Sequence, residues 1–134
     1  MKRLVVVAAL AAFALAGVAV AQQPPVSPAP VKRTMVGKVE VPGANYEVVT
    51  AIVEIAPNIK AGLHTHPGDV FFAVTEGEFW LAIQGQPEKV FKAGEQGLVP
   101  SKAVHNEGAQ GAGPAKLVAT YVIEKGQPLV QPVK

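Results

Sequence analysis

The chain has no cysteine. No disulfide can hold it together, and no thioether-linked lipid can anchor its start. It also lacks a G-x-S-x-G elbow, a Walker loop and any paired-carboxylate pattern, so hydrolase and phosphotransferase readings have no support. There is no basic stripe with interleaved aromatics, which removes the footprint of a nucleic-acid binder. Beyond residue 21 no segment carries a helical period. Histidine is scarce, with three in 134 residues, so where those three fall carries information.

The first 21 residues read as a secretory signal peptide. Met1-Lys2-Arg3 is a short basic start, Leu4 to Val20 is an unbroken apolar run, and Ala19-Val20-Ala21 is a small-x-small cleavage site. Cleavage after Ala21 predicts a secreted or periplasmic protein with no stable membrane insertion afterwards. It also removes Lys2 and Arg3, leaving ten basic against ten acidic side chains. Residues 22–33 form a Pro-rich linker, with four prolines between Gln22 and Val31. Residues 34–125 suit one small domain and 126–134 a tail along the surface. Without disulfides such a domain relies on its apolar core, with a metal or a second subunit as further sources of stability.

The domain reads as all-β. Met35 to Val41 is a short β-branched segment ending at Pro42-Gly43. Tyr46 to Ile55 is rich in Val, Ile and Thr, as a strand covered on both faces would be. Val70 to Thr75 and Glu78 to Gln84 flank Glu76-Gly77 as a hairpin, with Phe79, Leu81 and Ile83 sharing one face. Lys89–Lys92, Leu98–Pro100, Val104–His105 and Lys116–Glu124 follow, with a glycine-rich loop over Gly108–Pro114. Short strands with turns every eight to twelve residues indicate a sandwich or barrel.

His64 and His66 are two apart, so in a strand both imidazoles project from one face. Two neutral imidazoles on one face can chelate one transition-metal ion. His105 lies 39 residues further on, and spacing alone does not bring it back to the pair.

Gly62-Leu63-His64-Thr65-His66-Pro67-Gly68-Asp69-Val70, with Glu76-Gly77 after it, resembles the first motif of the cupin superfamily. Gly94, Pro100 and His105 resemble the second. With the 16-residue connector the likeness covers Gly62 to His105, and every histidine falls on a motif position. The resemblance implies a jelly-roll barrel, the double-stranded β-helix, with His64, His66 and His105 converging inside its mouth. It also implies a divalent transition metal there, with Zn, Fe, Ni, Cu and Co all compatible with imidazole ligands.

The chain departs from the motif in places. Val70 stands where the motif's metal-binding glutamate is usual, Lys102 where a glycine is usual, and Ala109 where an asparagine is usual. Asp69 is the candidate additional ligand, although a regular strand turns it away from the interior and only a bulge turns it in. Asn106 and Gln96 are candidate pocket residues supporting the histidines.

The functional expectation is a small exported cupin whose three histidines hold a metal in a pocket for a small polar ligand, with the reaction unspecified. The alternative is a non-catalytic ligand-binding module without metal. Phe71, Phe72, Phe79, Trp80, Phe91 and Tyr121 are read as core or subunit-contact residues, and the outward set of their strands could pack a second copy as a homodimer.

Overall fold

The computed structural model describes residues 30–134. The expected signal peptide and most of the Pro-rich linker lie outside the described residues. Ten strands follow one another: β1 (Val31–Glu40), β2 (Tyr46–Ile55), β3 (His64–Thr65), β4 (Asp69–Glu76), β5 (Glu78–Ile83), β6 (Lys89–Lys92), β7 (Gln96–Val99), β8 (His105–Ala109), β9 (Ala115–Glu124) and β10 (Gln131–Pro132). β1 begins at Val31, three residues ahead of the expected domain start, so Arg33 belongs to a strand. The glycine-rich loop is shorter than expected, because Gly108 and Ala109 are still in β8.

Two five-stranded sheets form, in the orders β1-β2-β9-β4-β7 and β10-β3-β8-β5-β6. All their pairings are antiparallel. β2 and β9 pair along ten residues each and form the spine of the first sheet. Their alternation is strict: Val49, Ala51, Val53 and Ile55 from β2, and Leu117, Ala119, Tyr121 and Ile123 from β9, are buried, while the residues between them are not. β4 adds Val70, Phe72 and Val74, and β5 adds Phe79 and Leu81 from the facing sheet. Period-two burial on both sheets is what closes one core between them. Phe72 sits edge-on to Phe79 and Phe91, with ring centroids 5.0 Å apart in both cases, so the aromatics tie the two layers together.

Trp80 shows where the alternation has an exception. It lies on the outer face of β5 yet is 9% exposed. The segment before β3 lies over this face: Lys60 bridges to Gly108, and Lys60 Nζ lies 6.0 Å from the centre of the Trp80 ring. A side chain at Gly108 would collide with Trp80 Nε1 and the Ile59 carbonyl, both 2.5 Å from the Cβ position.

Gly68 is needed for a different reason. The Cβ of any other residue there would lie 1.8 Å from the Val122 carbonyl oxygen on β9. The obstacle is backbone, which cannot rotate away. Gly68 thus lets the histidine segment run close against the spine of the first sheet. Gly68→Ala is expected to destabilise the domain by about 2 kcal/mol or more, in the range of overpacked core sites. Gly37→Ala, with nothing within 4 Å of the added methyl, is the control that should leave stability nearly unchanged. Urea unfolding of the two variants beside wild type checks this.

Candidate metal centre

β3 and β8 are neighbours in the second sheet, and His64 is the direct cross-strand partner of His105. That register, rather than sequence spacing, brings the third histidine to the first pair. His66 follows His64 by two residues and shares its inward direction. The ring centroids are 4.2 Å apart for His64 and His105, 4.8 Å for His66 and His105, and 5.0 Å for His64 and His66. One ligand nitrogen from each ring lies within 4.8 Å of the others. All three rings are buried, His105 completely.

The backbone decides which nitrogen of each ring faces this common point. His64 Nδ1 lies 2.7 Å from the Gly62 carbonyl, His66 Nδ1 2.6 Å from the Leu129 carbonyl, and His105 Nδ1 2.9 Å from the Ala103 carbonyl. A carbonyl can only accept, so each Nδ1 donates and each neutral ring carries its lone pair on Nε2. The Nε2 atoms of His64 and His105 are buried with no hydrogen-bond partner. Burial pushes the His66 pKa down to about 3 and the His105 pKa down to about 4, and neighbouring positive charge adds to both effects. These two rings are therefore neutral at physiological pH, the state a metal requires.

The supports come from three directions. Leu129 belongs to the tail, which does not simply lie along the surface as expected. It turns back so that β10 pairs with β3 and Val133 N donates to the Leu63 carbonyl. The backbone N of Lys102 donates to the His66 carbonyl at 2.9 Å. Lys102, at the motif's usual glycine position, keeps the left-handed backbone with φ of 60°. Asn106 accepts from Gly62 N at 3.0 Å and so braces the residue whose carbonyl holds His64. It acts on the site through Gly62, because as the neighbour of inward His105 its own side chain leaves the other face of β8.

Two expected candidates lie elsewhere. Asp69 is exposed and its Oδ1 accepts from Ser101 N at 2.8 Å. The bulge that would turn it inward is absent there; the only irregularity in the β4–β9 pairing falls at Val74–Glu76. Val70 takes the inward position instead and is 3% exposed. Gln96 is exposed on the outer face of β7, beside Leu98, and is not a pocket residue of this centre.

A carboxylate is nevertheless present, from a position the sequence reading passed over. Glu107 is buried, with Oε1 3.9 Å from His64 Nε2 and Oε2 3.9 Å from His105 Nε2. It lies two residues beyond His105 on the same strand face, so the alternation that pairs His64 with His66 could have identified it. Burial raises its pKa, while His64 and Arg33 pull the other way. Arg33 reaches it from β1, with Nη2 3.6 Å from Glu107 Oε1. Arg33 pairs across to inward-facing Val53, so its side chain enters the interior too. No sequence signal marked it, since it followed a run of prolines. Tyr121 closes the group from β9, edge-on to His66 at 5.4 Å.

A cupin domain profile matches residues 51–121, more than half of the chain, and the chain belongs to the cupin family. None of the curated proteins matches it. Among solved structures it is similar to an uncharacterized conserved protein with a double-stranded β-helix domain from Klebsiella pneumoniae, at 20% identity and TM-score 0.62 over 81% of this chain and 90% of that one. It is also similar to a cupin-like protein from Thermotoga maritima, at 22% identity and TM-score 0.59 over 77% and 75%. An oxalate oxidase shares 26% identity and TM-score 0.56 over 64% of this chain and 46% of that one. The jelly-roll expected from the two motifs is the fold observed, and its three motif histidines meet. They meet in a buried cluster capped by the tail.

Neutral buried histidines make the metal-free protein sensitive to acid. The unfolded chain takes up protons below about pH 6.5, whereas His66 and His105 resist until about pH 3 and about pH 4. Their contribution to stability is complete above about pH 6.5 and is lost as pH falls from there towards 4. Glu107 works in the opposite sense, because its raised pKa favours the fold at low pH. Chelator-treated wild type should lose melting temperature between pH 7 and pH 4.5, and His66→Gln, which removes one such group, should lose less over the same range.

Proposed function

We propose that this protein is an exported cupin that holds one divalent transition-metal ion on the Nε2 atoms of His64, His66 and His105 and offers it to a small polar molecule. The observation that carries this reading is that three rings spend their Nδ1 protons on backbone carbonyls and turn their remaining nitrogens to one buried point. Lone pairs gathered in this way repel one another unless a cation sits among them. Glu107 brings a carboxyl group to the same place. A bound ion supplies Lewis acidity, towards a carbonyl or a water. The chain's own residues keep His66 and His105 neutral, fix the direction of all three rings and bury them. Imidazole donors suit Zn, Fe, Ni, Cu and Co alike.

A non-catalytic role for the metal has its own support. The histidines are almost fully enclosed, and closed sites are characteristic of metals that stabilise a fold. In that reading the ion takes the place of the disulfides that the chain lacks. The two roles separate by metal-dependent turnover or oxygen uptake with a panel of small molecules. A non-zero rate supports the open role, and binding with a large melting shift and no turnover supports the structural one.

Export is proposed from the residues of the leader, Met1 to Ala21, and the intact mass of protein recovered from the export compartment should begin at Gln22. Among the described residues no helix is long and apolar enough to cross a membrane. A second copy of the chain is proposed to cover the outer face of the first sheet. Phe71 and Leu98 are cross-strand partners there and remain exposed.

The metal reading is tested on protein purified from the export compartment. Wild type should carry about one equivalent of a transition metal by elemental analysis, and His66→Ala and His105→Ala should carry little. Re-adding metal to chelated wild type at about a hundred times its dissociation constant should stabilise it by about 2.7 kcal/mol, measured as a rise in melting temperature. Metal-free native protein that no divalent ion stabilises overturns the reading.

A further inference from the structure

We propose that Glu107 is a fourth, anionic ligand of the metal centre, supplied from β8 and held in place by Arg33. This rests on the three-histidine reading above and adds a residue to it. Donor atoms on one first-row ion lie at about 2.0–2.2 Å from it, which sets them about 3–4.2 Å from one another. Towards two of the three histidines Glu107 meets that range, with Oε1 3.9 Å from His64 Nε2 and Oε2 3.9 Å from His105 Nε2.

The arrangement is hard to account for as a simple ion pair. Glu107 is 6% exposed and faces two nitrogens that have no other partner. A carboxylate beside imidazole lone pairs is repelled by them, and a cation placed between turns every one of these contacts attractive. Arg33 does not replace that cation. Its Nη2 stands 3.6 Å from Oε1, beyond a strong charge-assisted hydrogen bond, and its Nε is buried without a partner. Its Nη2 approaches Oε1, while Oε2 faces His105 Nε2 at 3.9 Å. We assign Arg33 as a positioning residue that fixes the carboxylate's orientation across the gap between the two sheets.

The position also has local support. Glu107 N donates to Asn106 Oδ1 at 2.9 Å, and the Glu107 carbonyl accepts from Ala61 N at 2.9 Å. The backbone carrying the carboxylate is therefore bound both to its own strand and to the segment leading into His64. Leu81 lies directly across from Glu107 on β5 and is 4% exposed, which leaves the carboxylate no route to water on that side.

The test is cobalt(II) titration of chelated full-length protein, followed by visible absorption and by competition with a chelator of known affinity. Wild type is compared with Glu107→Gln, which keeps the shape and loses the charge, and Glu107→Asp, which keeps the charge and withdraws the oxygens. Circular dichroism establishes that each variant is folded. Both variants are expected to bind cobalt at least about 10-fold more weakly and with an altered absorption band, as loss of a ligand or its support typically does. A Glu107→Gln variant with wild-type affinity and spectrum overturns the assignment while leaving the three-histidine centre intact. Wild-type behaviour by Glu107→Asp alone also overturns it, because charge without contact would then suffice. A wild type that takes up no cobalt overturns this proposal together with the metal reading beneath it.

Discussion

Three hydrogen bonds from imidazole Nδ1 atoms to the carbonyls of Gly62, Ala103 and Leu129 are the constraint on which the centre depends. Each fixes a ring's tautomer and its rotation at once. Two of the carbonyls sit two residues before the histidine they hold, so those rings are set by the local backbone. The third comes from the tail, 63 residues away, and ties the end of the chain to the centre. Enclosing three imidazoles and a carboxylate is unfavourable by itself, because each leaves water for a medium of low polarity. The long β2–β9 pairing and the apolar layer beneath it supply the rigidity that keeps them enclosed.

The two sheets divide the work. The first sheet holds most of the apolar core, through the inward faces of β2, β9 and β4. The second carries the polar donors on β3 and β8, where His64 pairs with His105 and Glu107 follows by two residues. Arg33 and Tyr121 enter from the first sheet and meet this group across the interior. A group assembled between two sheets is positioned by their packing as a whole.

Likeness to solved structures at 20–22% identity defines the fold, and a shared fold hosts many chemistries. What distinguishes this chain is local. An apolar valine occupies the interior position at residue 70, while a glutamate at 107 brings a carboxyl group in from the opposite sheet. The carboxyl group near the histidines thus comes from a different strand and lies beside an arginine on β1. The reactivity of a metal held there would depend on that pair as well as on the imidazoles.

Much of this was legible from residue order alone. Period-two alternation marks β5 and β-branched composition marks β2, although β2 buries one face where cover on both was expected, and turn residues such as Pro42-Gly43 and Glu76-Gly77 mark strand ends. The spacing of His64 and His66 puts both on one face. The same rule applied to His105 reaches Glu107. Local rules also set Asp69 outward, since one residue along a strand reverses a side chain. Tertiary structure alone decided the rest. The pairing of β3 with β8, the inward reach of Arg33 and the return of the tail to His66 are contacts between residues far apart in sequence. No local preference encodes them. They follow from how two sheets bury their apolar faces against each other, and that packing determines which polar groups end up sharing one enclosed point.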